Sequence, residues 1–418
     1  MAESIPKLHP RVISIAVFVF ALALIIINLV SLVFPSLFES LLDEYEFDYD
    51  PFELGTWAIP VIVTNIVILI FGIFYFTKKL PSFIQNGINF IKNFEVSRNV
   101  TAIVLVGLVF GYIGFSFQEL LVEEGKTYGD FERVKVVVEA WPFGNVPGEE
   151  SLFNLHVKNF LLKSSQFLFQ NYRVMPFIIS ISLLVLTYFF TAEITKKRFA
   201  GIVALIILLQ SDTFQAFDTS ASYENSWTLF YLLSLYLIEK RWFLSPLAYV
   251  ASLFSKPLTA PYLPMTLFYT YNSQISRRKK FYTLLIYIAI IFGGLVGLYV
   301  LGIDVGGGIS QGKLDFEYID FWNSFTTWSY QLRFDGIFLL FILPLAVALF
   351  FTAKNGVRHA DSLLALIAGA IISMSLLVAF TGFNLHPYRY MPLIVFFAVG
   401  VGMLLSKRSL DGSKNGTG

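Results

Sequence analysis

The chain has 418 residues, of which 56% are hydrophobic and 14% charged, with a mean hydropathy of +0.68 and a formal net charge of +1. So little charge cannot cover the surface of a soluble domain of this length, and a balance so near zero points to no nucleic acid partner. The chain contains no cysteine, which excludes disulfides, thiolate metal sites and cysteine nucleophiles.

Lys7 and Arg11 precede an apolar run over about 12–34. Its length is that of a full membrane span and exceeds an ordinary signal h-region, so it is read as a retained first helix. Further runs at about 57–77, 100–117, 174–194, 199–217, 223–238, 282–302, 336–352, 362–381 and 390–405 are long enough to cross, or nearly cross, a hydrocarbon core of about 30 Å. Between 243 and 272 the prolines at 246, 257, 261 and 264 forbid one continuous helix. That stretch predicts two short half-helices that enter and leave on the same side, shielded by other helices. The expected fold class is all-α: a polytopic transmembrane helical bundle of about ten spans plus a re-entrant broken segment.

Orientation follows from the basic clusters, since Lys and Arg gather on the cytoplasmic side. Lys78-Lys79, Lys196-Lys197-Arg198, Lys240-Arg241, Arg277-Arg278-Lys279-Lys280, Lys354 with Arg358, and Lys407-Arg408 all fall on one side if 243–272 is a re-entrant pair. The expectation is a multi-pass integral protein of the cell membrane or an endomembrane, with both termini cytoplasmic. The opposite face receives loops at about 35–56, 118–173, 211–222, 303–335 and 382–389. The first carries an acidic run over 39–53, read as a solvated loop rather than a metal site. The second ends in a stretch at 151–170 whose Leu152, Phe153, Leu155, Phe160, Leu161, Phe167 and Leu168 recur at roughly helical spacing. This predicts an amphipathic helix lying on the leaflet. The tail from 406 is polar and Gly-rich and is expected to be disordered. No internal repeat is visible.

Phosphate loops, zinc-ligand clusters and nucleophile elbows are absent, and the glycines at 306–308 lack the context of a nucleotide cradle. Three regions instead stand out together: the loop VEEGKTYGDFERVKVVVEAW, the block from Tyr172 to Pro264, and FNLHPYRYMPLIV near the end. In order, they present span 100–117, Asp130, Arg173, the basic turn Lys196–Arg198, Glu224 opening a helix, Lys256 in the broken segment, and His386-Pro387-Tyr388-Arg389-Tyr390 opening the last span. This order resembles the type-C (GT-C) superfamily of polytopic membrane glycosyltransferases, over about residues 100–405. On that resemblance 1–99 is an extra N-terminal transmembrane hairpin with a cytoplasmic linker, 100–405 the glycosyltransferase-like domain with its external loop 118–173, and 406–418 the tail.

The resemblance implies transfer of a sugar, a hexose such as mannose, from a polyprenyl- or dolichyl-phosphate donor to a lipid-linked, protein or surface glycan acceptor on the non-cytoplasmic face, with inversion. Many members carry adjacent acids in the first external loop. Here the pattern is Asp130-x-Glu132, which makes Asp130 the expected base and Glu132 the second candidate. The residue chemistry agrees: a surface carboxylate can take the acceptor's proton, and a guanidinium suits a phosphate fork. Arg389, Arg173 and Lys256 are the expected donor-phosphate ligands, with Glu224, His386 and Tyr390 as further site candidates. Each also has a structural reading: the arginines as interfacial anchors, Glu224 as a helix cap. No cofactor is required by the sequence, and a divalent metal is left open. Two other classes remain, a transporter or flippase built around the broken segment and a non-catalytic membrane subunit.

Overall fold

The computed structural model describes residues 10–38, 50–126, 129–141, 156–300, 316–381 and 386–406. Most of the acidic run (39–49), the start of the expected leaflet helix (151–155), the glycines at 306–308 and the tail from 407 lie outside the described residues. Among the described residues every regular element is helical.

The chain opens with α1 (Pro10–Val33) and α2 (Ala58–Phe76), then the short α3 (Ser82–Asn93) and the long α4 (Arg98–Ser116). The next connection carries α5 (Phe131–Ala140) and α6 (His156–Phe169). Four helices follow: α7 (Val174–Thr195), α8 (Arg198–Leu209), α9 (Asp212–Phe217) and α10 (Ser226–Arg241). A 3₁₀ turn at Pro257–Tyr262 separates α11 (Ser245–Ser255) from α12 (Leu263–Asn272). The remainder is α13 (Arg277–Val300), α14 (Tyr318–Gln331), α15 (Gly336–Lys354), α16 (Arg358–Thr381), a 3₁₀ turn at Pro387–Tyr390, and α17 (Met391–Met403).

Among the described residues six helices are long and apolar enough to cross a membrane: Val12–Val33, Ala58–Tyr75, Arg98–Leu121, Val174–Thr195, Gly336–Lys354 and His359–Phe380. The chain is an integral membrane protein. The other four expected spans take different forms. The run 199–217 is interrupted where Ser211 accepts a hydrogen bond from Phe214 N at 3.1 Å and starts α9 afresh. That leaves α8 with 12 residues, about 18 Å of helix. The 16 residues of α10 and 13 of α17 give about 24 Å and 20 Å. α13 is 24 residues long but opens on four basic residues, Arg277 to Lys280.

The Pro-broken stretch is two half-helices, as its prolines dictate. α11 ends at Lys256, whose extended backbone (φ −158°, ψ 121°) is the conformation imposed on a residue before proline. The apex at Lys256 lies level with the start of α10, because Ser252 Oγ donates to Trp227 O at 2.6 Å. Both outer ends return to the level of the other end of α10. Ser245 Oγ donates to Ser234 O at 2.8 Å, and Tyr269 stacks on His359, whose Nε2 lies 3.6 Å from Glu239 Oε1.

α17 sits at the centre, with Met391 through Val399 almost wholly buried. Close approach to α7 and α8 needs Gly402, where a Cβ would come within 2.5 Å of Thr191 Cγ2 and 2.7 Å of Ala200 O. α1 packs on α14, α15 and α16 and contributes Ala21, Leu24 and Ile25 to the same core. Its contacts include Ser14 Oγ donating to Asp361 Oδ1 at 2.7 Å, Ser31 Oγ donating to Phe325 O at 2.8 Å, and Phe18 stacked on Phe350 at 4.1 Å. α2 and α4 turn Ile59, Ile62, Ile66, Ile70, Ile103, Val106 and Phe110 outward, the surface expected where lipid replaces water.

Candidate functional site

At one end of the bundle lies the loop between α9 and α10, Asp218 to Asn225. It is almost entirely polar and, apart from Tyr223, buried. Buried polar backbone must find partners inside the protein, and these come from four elements. Glu124, on the connection after α4, accepts from Ser220 Oγ, Ala221 N and Ser222 N, each at 2.8 Å. Tyr112 Oη and Ser116 Oγ of α4 donate to Asp218 Oδ2 at 2.6 and 2.8 Å. Ser180 Oγ of α7 donates to Asp218 O at 2.8 Å. Lys158 Nζ of α6 donates to Ser222 O at 2.6 Å.

Arg173 completes the scaffold. Its guanidinium donates to the carbonyls of Glu119, Val122 and Thr219 and to Thr219 Oγ1, and lies 3.8 Å from Glu119 Oε2. The structure thus places this expected phosphate ligand among backbone carbonyls, tying the connection after α4 to the loop.

The loop presents Tyr223 and Glu224. Tyr223 Oη donates to Asp130 Oδ2 at 2.5 Å, so the exposed carboxylate just ahead of α5 is joined to the loop. Glu132, two residues on, points elsewhere: its Oε1 lies over Gly125, since positions i and i+2 of a helix do not share a face. The ring of Tyr223 stacks on Tyr388 at 4.5 Å, and Tyr388 is nearly parallel to His386 at 5.9 Å. His386 precedes Pro387 and is extended (φ −119°, ψ 152°), the same X-Pro conformation as at Lys256. Lys256 Nζ sits 3.9 Å from the Tyr388 ring centroid and 5.8 Å from that of Trp227. Arg389 Nε donates to Tyr388 Oη at 3.2 Å.

Lys256 is acted on electrostatically by Lys158, Glu224 and Arg389. Partial burial, aided by the positive charges of Arg389 and Lys256 and opposed by Asp130, holds the His386 imidazole below its ordinary pKa. Glu224 lies two residues ahead of α10 and accepts from Ser226 N through Oε2, close to the helix N-terminus where a carboxylate is favoured. Its Oε1 has no hydrogen-bond partner among the described residues. Tyr390 is buried behind Arg389. Asp130, Glu224, Lys256, His386, Arg389 and Tyr390 therefore share one site, whereas Arg173 and Glu132 border it. Glu124 is not singled out by the sequence, and Lys158 stands out there only as a charge on the amphipathic stretch 151–170.

α6 is amphipathic in an inverted sense. Lys158, Asn159, Leu162 and Ser165 face inward, while Phe160, Phe167 and Leu168 are exposed, so an apolar edge flanks the charged cluster. Among the described residues no group of three or more His, Asp or Glu side chains is arranged to hold a metal ion. No family model, curated protein or solved structure matches the chain.

Proposed function

We propose that the protein is an inverting membrane glycosyltransferase that moves a hexose from a polyprenyl- or dolichyl-phosphate donor to a glycan, lipid or protein acceptor. The observation that carries this reading is the meeting of Asp130 with Lys256 and Arg389 around Tyr223 and Tyr388, flanked by the apolar edge of α6. Asp130 takes the proton of the acceptor hydroxyl as its oxygen attacks the anomeric carbon from the face opposite the leaving phosphate. The bond between that carbon and the phosphate oxygen breaks, and the lipid phosphate departs with its charge held by Arg389 and Lys256. Tyr223 holds the Asp130 carboxylate in place.

About ten spans and a re-entrant 243–272 segment complete the reading, with the site on the non-cytoplasmic face and both termini cytoplasmic. The orientation rests on charge. Lys196, Lys197, Lys240 and Lys280 share the end opposite the site, where Glu193 pairs with Lys196 at 2.7 Å and with Lys240, and Lys280 donates to Tyr271 O. Such a cluster is retained in the cytoplasm. The two half-helices meeting at Lys256 favour a second reading, a transporter of a lipid-linked or small substrate.

The test is a transfer assay on purified protein with labelled polyprenyl-phosphate sugars and mixed membrane acceptors. Asp130→Asn should slow transfer by at least about 10²-fold, the usual scale for a lost acid–base group, with expression intact. Flux of labelled lipid across vesicles without any transfer product would favour the transporter instead.

A further inference from the structure

Directly behind the cationic pair lies a set of buried side chains that the proposed chemistry does not use. Trp227 and Tyr262 meet edge to face at 6.3 Å, and Trp227 lies under Lys256 Nζ. Tyr390, next in the chain to Arg389, meets Trp328 of α14 edge to face at 6.5 Å. Glu224 lies one turn before Trp227. All five are at most 2% exposed. Trp227 Nε1, Tyr262 Oη, Tyr390 Oη, Trp328 Nε1 and Glu224 Oε1 have no hydrogen-bond partner among the described residues. Folded proteins leave few buried polar atoms in this condition, and here they converge beside Lys256 and Arg389 from α10, α14, the 3₁₀ turn after Lys256 and the turn before α17.

The chemistry of the set narrows what it fits. Indole N–H groups donate only, phenols both donate and accept, and a carboxylate accepts. A bare phosphate would answer the donors but be repelled by Glu224. A hydrocarbon chain would suit the rings but leave every polar atom dry. A polyhydroxylated ring supplies acceptors for Trp227, Tyr262 and Tyr390, a hydroxyl donor for Glu224, and C–H faces for the aromatic walls. A carboxylated sugar would set a second negative charge against Glu224.

We propose that Trp227, Tyr262, Tyr390 and Glu224, walled by Trp328, form a subsite for a neutral hexose ring whose phosphate end lies at Lys256 and Arg389. This inference rests on the transferase reading and adds to it the residues that hold the hexose and the requirement that the ring be uncharged. The ring is held below the cations, and uronosyl donors are rejected by charge.

The experiment measures binding to the full chain in nanodiscs of three short-chain isoprenyl phosphates: sugar-free, mannosyl and uronosyl. The parent should prefer the mannosyl ligand over the sugar-free one by at least about fivefold, the yield of one or two net hydrogen bonds. Tyr262→Phe and Tyr390→Phe keep ring and volume. Each should lower that preference while leaving sugar-free phosphate binding unchanged, which also certifies the fold. Glu224→Gln should admit the uronosyl ligand. A parent that does not distinguish mannosyl from sugar-free ligand overturns the inference. Phe variants that retain the full preference, or lose both ligands together, overturn it as well. Mannosyl preference without transfer to any acceptor would sink the transferase reading alone, whereas transfer with unaltered KM in both Phe variants would sink the hexose subsite alone.

Discussion

Glu124→Gln tests whether one buried carboxylate sets the shape of the site loop. Glu124 is 1% exposed, with Ser220 Oγ and Ser222 N donating to Oε1 and Ala221 N donating to Oε2. Glutamine keeps the volume but offers one oxygen and one NH₂. If the NH₂ replaces Oε2 it faces the N–H of Ala221, and if it replaces Oε1 it faces that of Ser222. The serine hydroxyl can rotate to accept, but a backbone N–H cannot. Either flip therefore orphans at least one buried amide that had donated to a charged acceptor, a loss of about 1.5–3 kcal/mol. Local opening of the loop should then become easier by on the order of 10- to 100-fold. Hydrogen exchange of a peptide covering 218–226 reads this directly, with the buried stretch of α15 around Leu339 to Leu349 as the unchanged reference. Transfer should fall as well, since Tyr223 and Glu224 ride on this loop. Exchange at Ala221 and Ser222 within about twofold of the parent would refute the carboxylate as the loop's organiser.

Burial pushes the Asp218 carboxyl up to about 6, against the opposing pull of hydrogen bonds from Tyr112 and Ser116. The folded state thus binds this proton more tightly than the unfolded chain, whose value is about 3.9. Its contribution to stability is full below about pH 4 and is lost as pH rises toward 6. The parent's Tm should therefore fall between pH 4 and 6 relative to Asp218→Asn, and parallel profiles would contradict this. Arg389→Lys should weaken donor use and Arg389→Ala more so, because Lys keeps the charge but loses the fork; a Lys variant with the parent's donor affinity would reduce Arg389 to an interfacial anchor. A single cysteine at 279, in a chain with no other, should react only with membrane-permeant reagents, and labelling from outside would invert the proposed orientation.

Much of the bundle was legible because apolar length is a strong signal, and the break at Lys256 because proline leaves the chain no alternative. Hydropathy alone does not locate the point at which a single side chain ends a helix. Ser211 divides an apolar run that reads as continuous, and the cap is a local hydrogen bond rather than a change in composition. That Asp130, Glu224, Lys256 and Arg389 belong to one site is what the family resemblance implies, and nothing in their local sequence alone would have brought them together. The position of Arg173 was not legible either, because an arginine bound to carbonyls and one bound to phosphate look alike in sequence. Glu124 was hidden among the other acids of its loop. A signal did exist in the polar run Thr219–Asn225 between two apolar stretches, since a loop of that composition needs a charged hub if it is buried. The amphipathic pattern of 151–170 predicts a helix on the leaflet, and α6 instead turns Lys158 inward onto the loop.

The packing of α1 on α14 to α16 also bears on how the protein is made. The hydrogen bond from Ser14 to Asp361 joins residues 347 positions apart, so the first helix enters the membrane long before its partners are synthesised. During that interval its polar side chains face lipid, where an unsatisfied donor is expensive. Two of them carry an interim solution within the helix itself. Asn28 Nδ2 donates to Leu24 O at 2.7 Å, and Ser31 Oγ donates to Asn28 O at 2.8 Å as well as to Phe325 O. α1 can thus wait in the bilayer as an independent, internally bonded helix and dock late, when the one hydroxyl hydrogen of Ser31 is shared between Asn28 O and Phe325 O and the donor is satisfied at both stages.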